Sequence, residues 1–295
     1  MAHYTSASNA IRIIDSKCLT LRNAMLMNDF SEIRHGESCL SASWASEHGK
    51  GTSTQPGRLL RIFNKISPTI IPAVEQRYDN HLSQRKTDTF IISLAEHNEQ
   101  TEGQLGRLSM WRAYGGQTNV ALIFNPPNTE SEASTGLFSA PVVYKHRDDF
   151  VADVFSETVS SIESNIEELL DIDRDELVDY LSWTLNVMAL SAKHPGFMEE
   201  KEWRVIYAPW LYFDASIKDR IVDIQGVPQK TFQVDLSEQS GKAGVPAFGD
   251  LLNKVIIGPT EHPWVLYETF VMKLEKAGLP DAATKVVVSD IPIRR

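Results

Sequence analysis

The run Thr118-Asn119-Val120-Ala121-Leu122-Ile123-Phe124, closed by Asn125-Pro126-Pro127, anchors the reading of the fold. It is short, rich in β-forming residues and stopped by two prolines that cannot donate to a ladder, so it reads as a central strand. Thr89–Ala95 reads the same way. Between them, Leu108-Ser109-Met110-Trp111-Arg112-Ala113-Tyr114-Gly115-Gly116 predicts one or two helical turns closed by glycine, rich in large aromatic and cationic side chains.

Working outward, His3-Tyr4-Thr5 predicts a strand end, and Thr5 or Ser6 suits the N-cap of a helix whose buried stripe is Ala10, Ile11, Ile13 and Ile14. Leu19–Leu21 alternates as a strand, and Asn28-Asp29 announces a second helix through Ile33 toward Trp44. Residues 49–57 are all turn formers. A helix from about Leu59 to His81 is expected to break or kink at Pro68 and Pro72. Pro141–Tyr144 predicts a strand, followed by two amphipathic helices at about 148–170 and 175–193, a stop at His194-Pro195-Gly196, and a strand at Glu202–Tyr207.

The last third predicts strands at 220–224, 231–234, 255–257 and 285–288, with helices near 248–252 and 263–277. Strands and helices mix without a βαβ rhythm, which favours α+β over a doubly wound parallel sheet. The expectation is one domain over 1–295 with a helical insertion at about 147–195.

Composition narrows the function classes. At 42% hydrophobic and 23% charged residues the chain is an ordinary globular one. Its apolar runs fall far short of the roughly 18 residues of a membrane helix. No basic segment precedes an apolar one at the N-terminus, and Cys18 and Cys39 are too few for a disulfide framework, so a cytoplasmic location is expected. A net charge of −10 disfavours binding nucleic acid chiefly through phosphates, although Arg12, Lys17, Arg22, Arg107, Arg112, Lys193, Lys201 and Arg204 fall near the candidate site segments. Neither a P-loop nor a G-x-G-x-x-G turn after a strand occurs, nor H-E-x-x-H, paired C-x-x-C or G-x-S-x-G. No metal site is expected.

Two groups stand out. His3, flanked by an aromatic and a hydroxyl, offers hydrogen bonds and a ring face to a polar ligand. Glu200 and Glu202 are two apart on an extended segment, so their carboxylates share a side and suit a general base or charge stabiliser. A plainer account fits the same residues: a satisfied imidazole, core aromatics at Trp111 and Tyr114, an ion pair of Glu202 with Lys201 or Arg204, and a solvated Glu200.

His3-Tyr4-Thr5, Asn28-Asp29, Ser93-Leu94-Ala95-Glu96, Met110–Gly115, Glu200-Lys201-Glu202-Trp203-Arg204 and Ser289-Asp290-Ile291-Pro292 occur in that order. The order resembles, over nearly the whole chain, a large bacterial family known only as a domain of unknown function. The layout is also distantly similar to the ADP-ribosyltransferase superfamily. That resemblance implies a split mixed β-sheet core whose cleft binds NAD+ as a substrate, and a toxin or phage-defence setting. It implies His3 on the nicotinamide ribose with Tyr4, Thr5 and Ser93 nearby, and Trp111 or Tyr114 stacked on the nicotinamide. Glu202 would stabilise the oxocarbenium-like transition state, and Glu200 would orient the acceptor. Arg112 and Arg204 would meet the pyrophosphate, and the acceptor would be a protein or nucleic acid. Tyr4 and Trp111 depart from the usual glycine and tyrosine of that superfamily. Alternatives on the same fold are a ligand-sensing or interaction module and an NAD+ glycohydrolase.

Overall fold

The computed structural model describes residues 1–27, 32–45, 55–114, 118–125, 136–224, 226–237 and 246–292. Asn28-Asp29, Gly115-Gly116, Pro126-Pro127 and most of the 49–57 turn segment lie outside these. Within them the chain is α+β with a mixed sheet.

The sheet is assembled from β1 (Ala2–Ser6), β2 (Cys18–Asn23), β3 (Phe90–Ala95), β4 (Asn119–Phe124), β5 (Leu137–Pro141), β8 (Glu202–Tyr207), β9 (Lys218–Ile224), β10 (Val227–Asp235), β11 (Leu252–Ile257) and β12 (Val286–Val288). Its order is β12-β11-β4-β1-β3-β2-β10-β9, with β8 on the other edge of β3 and β5 beyond it. Only β11 and β12 run parallel within it. A separate parallel pair joins β6 (Val143–Tyr144) to β7 (Ala192–Lys193).

The two runs read as central are central. β4 is buried throughout, between β1 and β11. Strand β3 is shared: β8 pairs along its whole length, whereas its opposite edge meets β1 through Ala2↔Ala95 and β2 through Arg22↔Ile91 and Asn23↔Phe90. Between those two contacts, at Ile92–Leu94, the sheet is split. β1 turns away to pair fully with β4, and β2 pairs with β10.

Local sequence places the strands around the split. Ser6 caps α1 (Ala7–Ser16) by accepting the Asn9 N–H at 3.3 Å, so the strand must end there. Ala7, Ala10, Ile13 and Ile14 bury the inner face of α1, and Lys17 closes it with φ 51°. Beside α1 packs α12 (Pro263–Lys276), over a core that draws Val120, Leu122 and Phe124 from alternate positions of β4. On the other face, Ala121 and Ile123 meet Tyr4, Met110 and Trp111 of β1 and α6 (Leu108–Tyr114). Short helices α11 (Phe248–Leu251) and α13 (Ala282–Lys285) flank β11 and β12.

A second core is mainly helical, with Ala192 of β7 and Val143 of β6 at its edge. It joins α2 (Glu32–Ala45), α3 (Gln55–Ile66) and α4 (Ile70–Asn80) to α8 (Ser156–Ser164) and α10 (Arg174–Ser191), around Cys39, Phe63, Phe150, Phe155, Val159 and Leu177. The short helices α5 (Leu82–Thr87), α7 (Arg147–Asp149) and α9 (Ile166–Leu169) continue these segments. The helical part is therefore built from two stretches, and 147–195 is one half of it. The expected break falls at 67–69, but Pro72 sits in the first turn of α4, where its missing N–H has no intrahelical partner to lose. Among the described residues no helix is long and apolar enough to cross a membrane.

Candidate functional site

The split opens into a cavity of about 820 Å³ lined by both sheet halves, α1, α6 and the turn before β8. That size is within the range of small-molecule sites. His3 spans the gap: its Nδ1 lies 3.2 Å from the Ser93 carbonyl oxygen, which can only accept, so Nδ1 carries the proton and Nε2 is left as an acceptor. Burial lowers the His3 pKa, opposed by the Ser93 bond, and the imidazole is neutral at pH 7.

Glu202 opens β8 opposite Ala95, two positions along the ladder from Ser93↔Arg204 and therefore on the same face of the sheet. Both its oxygens are occupied. Oε1 accepts from the Ser93 hydroxyl and from Arg204 Nε at 3.0 Å, and Oε2 accepts from Lys193 Nζ at 3.0 Å. Burial pushes its carboxyl up, but the Arg204 and Lys193 charges and the hydrogen bonds outweigh that and hold it at about 2. Lys193, 3% exposed, also reaches Glu200 at 2.7 Å. Glu200 in turn accepts the Tyr114 hydroxyl at 2.6 Å. Burial and that bond drive the Tyr114 pKa upward, so its phenol stays protonated. Two carboxylates and two cations balance in charge, which lets the cluster sit inside the protein.

Backbone clasps fix this arrangement. The Glu202 N–H donates to the Tyr144 hydroxyl at 2.8 Å. Arg107 donates to the Glu199 and Glu200 carbonyls at 2.8 and 2.9 Å and to Glu96 at 2.7 Å, while its own N–H bonds the Tyr4 hydroxyl at 2.9 Å. The loop before α6, the first strand and the Glu200 turn are thus tied at one residue. Lys201, in the left-handed region at φ 43°, ends the turn and sets Glu200 apart from the Glu202 strand.

Of the residues singled out in the sequence, His3, Tyr4, Thr5, Ser93, Tyr114, Glu200 and Glu202 line this one cavity. Trp111 does not, which corrects the expectation that it could stack on a ligand. It is 2% exposed, its N–H bonds the Leu105 carbonyl at 2.9 Å, and its ring meets Tyr4 edge-on at 4.7 Å. A Cβ on Gly106 or Gly258 would fall 2.5 or 2.8 Å from that ring, so both glycines are needed where the backbone lies on it. Trp111 is core, packed behind Tyr4 rather than facing the cavity.

Arg112 and Arg204 are not placed for a pyrophosphate either. Arg112 is exposed and away from the cavity lining, and Arg204 is 1% exposed, committed to Glu202 and, at 2.6 Å, to the Leu190 carbonyl. The arginines that do line the cavity are Arg12 of α1 and Arg22 of β2. Of the two cations expected beside Glu202, Arg204 pairs with it at 3.0 Å and Lys201 is exposed; the second partner is Lys193. Phe197 adds a second aromatic ring beside Tyr114, with Lys193 4.8 Å above its face. Arg12, Arg22, Arg107 and Lys193 were visible only as nearby charges. Which of them reach the cleft depends on α1, α6 and α10 packing on the sheet.

A family described as Protein of unknown function (DUF2971) is similar to this chain over residues 110–205. The match runs from α6 to β8 and takes in Tyr114, Lys193, Glu200, Glu202 and Arg204, but not His3 or Ser93. It covers less of the chain than the whole-length resemblance predicts. No curated protein and no solved structure matches.

Proposed function

We propose that the cleft binds NAD+, breaks the bond between nicotinamide and ribose, and passes ADP-ribose to a macromolecular acceptor. The observation that carries this reading is the split at Ile92–Leu94, around which His3, Ser93, Tyr114, Glu200 and Glu202 come from five separate segments to line one cavity. Neutral His3 offers Nε2 as an acceptor for a ribose hydroxyl. The Tyr114 ring receives the flat cationic nicotinamide. As the C1′–N bond breaks, its electron pair leaves with nicotinamide and positive charge develops on the sugar. Glu202, ionised at every working pH, stabilises that charge. The acceptor nucleophile then bonds to C1′ and gives its proton to Glu200, the more accessible of the two carboxylates, 15% exposed against 4%, from which it passes to solvent. Arg12 and Arg22 take the phosphates at the α1 end.

Incubation of the protein and a cell lysate with NAD+ labelled on the adenylate tests the transfer step. Label should appear on macromolecules, and toxicity on expression should disappear with Glu202→Gln. Nicotinamide release without macromolecular label would move the reading to a glycohydrolase.

A second reading, a module that binds NAD+ without cleaving it, is favoured by the saturation of Glu202, whose two oxygens are filled by Ser93, Lys193 and Arg204. Binding by calorimetry with no release of nicotinamide is its signature.

A further inference from the structure

The helical layer carries a second opening, remote from the split. It is a groove of about 480 Å³ between α8 and α10, floored by Phe63 of α3. From α10 it takes Leu177, Tyr180, Leu181 and Thr184, which lie on one helix face. Ile162 and Leu169 supply apolar wall opposite them. Three large apolar side chains of the same segment are exposed: Leu170 at 49%, Tyr180 at 56% and Trp183 at 45%. Exposed apolar surface beside a groove costs solubility and marks contact surfaces.

Charge identifies what fits. Residues 148–179 hold twelve carboxylates against the single arginine Arg174, a net of −11 in a chain whose whole charge is −10. The rest of the protein is close to neutral, so the field of the molecule is concentrated around this groove. Some of these acids have local partners, such as Glu163 with Arg58 at 2.7 Å and Asp153 with Lys145 at 2.7 Å. Glu157, Glu167, Glu168, Asp171 and Glu176 are exposed and form no ion pair among the described residues. Glu157 lines the groove itself, and the others flank Leu169 and Leu177 in sequence.

We propose that the α8–α10 groove seats a basic amphipathic helix of a partner protein, with its apolar anchors against Leu177, Leu181 and Ile162 and its lysines or arginines against the surrounding carboxylates. The occupant is helical because an open groove between two helix faces accepts side chains spaced at i, i+3/i+4 and i+7. It is basic because the rim repels any other charge. This inference does not depend on the reading of the cleft.

The probe is a fluorescein-labelled Leu/Lys peptide of roughly 18 residues with leucines at i, i+3, i+4 and i+7, compared by anisotropy with a scramble of the same composition. At about 0.15 M salt the amphipathic peptide should bind about tenfold more tightly than its scramble, since charge alone is largely screened there. Thr184→Trp, which fills the groove, should remove that preference. Where Thr184→Trp does not fold, Tyr180→Lys, at a side chain already half in solvent, should do the same. Combined Glu167→Lys, Glu168→Lys and Glu176→Lys should weaken both peptides. Equal binding of the two peptides, or a preference unchanged in a folded groove variant, overturns the proposal. So does self-association of the chain through this face, read by sedimentation and abolished by Tyr180→Lys.

Discussion

At the scale of single residues, the proposed chemistry turns on a buried carboxylate that two cations keep ionised. Glu202 sits at about 2 against an ordinary 4.5. A depressed carboxyl stabilises the fold fully above its unfolded value and loses that contribution as pH falls through the folded value, so the window runs from about pH 4.5 to about pH 2. The shift corresponds to roughly 3 kcal/mol. Urea unfolding from pH 5.5 downward should show wild-type stability falling more steeply than that of Glu202→Gln, and parallel curves would contradict the account. Lys193→Met should cost about 3–5 kcal/mol in the same assay at pH 7, because it strips one cation from buried Glu202 and from half-buried Glu200. How much of this was legible differs by residue. His3-Tyr4-Thr5 and Glu200-x-Glu202 stood out as a histidine with polar neighbours and a period-two carboxylate pair, and both reach the cleft. Trp111 and Tyr114 are three apart on one short helix, and sequence alone does not say which ring turns inward; the glycines at 106 and 258 that seat Trp111 are remote from it in the chain or only become informative once folded. Lys193 bonds carboxylates seven and nine residues later, across a turn that no periodicity announces.

At the scale of elements, β3 and α10 decide where the site lies. The β-forming content of Thr89–Ala95 and Thr118–Phe124 is enough to mark both strands, yet the division of one β3 edge between β1 and β2 is a matter of pairing, which local sequence does not encode. Leu137–Pro141 carries little strand signal in the sequence, because it is only partly buried and lacks a clean alternation. The helices at about 148–170 and 175–193 were legible from their amphipathic stripes. Their union with α2–α4 was not, since it arises from packing between distant segments. α10 reaches from the groove at Leu177–Thr184 to the cleft, where its last turn offers the Leu190 carbonyl to Arg204 and leads directly into Lys193. The crossing of α2 over α10 holds this helix in place. Gly36 makes it possible, because a Cβ there would lie 1.9 Å from the Ala189 carbonyl oxygen. Gly36→Ala must push the two backbones apart and should destabilise the protein by about 1–3 kcal/mol, the usual range for overpacking. An unchanged melting temperature would show that the helices adjust freely and that α10 is not fixed by this contact.

At the scale of the whole molecule, charge is divided between two regions. The acidic segment 148–179 accounts for the net −10, while the cleft presents Arg12 and Arg22 at one end and a balanced carboxylate cluster at the other. A dinucleotide laid along the cleft would place phosphates toward the arginines. Arg12→Glu, at an exposed position, should therefore weaken the stabilisation by NAD+ in a thermal shift while leaving the ligand-free melting temperature within a few degrees, because exposed charge changes are usually worth less than about 0.5 kcal/mol. A variant that keeps the full NAD+ shift would move the phosphates elsewhere. The central claim is that the split sheet is a site for breaking the nicotinamide bond, and release of nicotinamide from NAD+ by the purified protein tests it most directly. The account predicts release by wild type, and a loss of at least about a hundredfold in Glu202→Gln, the scale of removing one electrostatic stabiliser from a transition state. Equal release by the two proteins, or none from wild type with or without lysate, would contradict it.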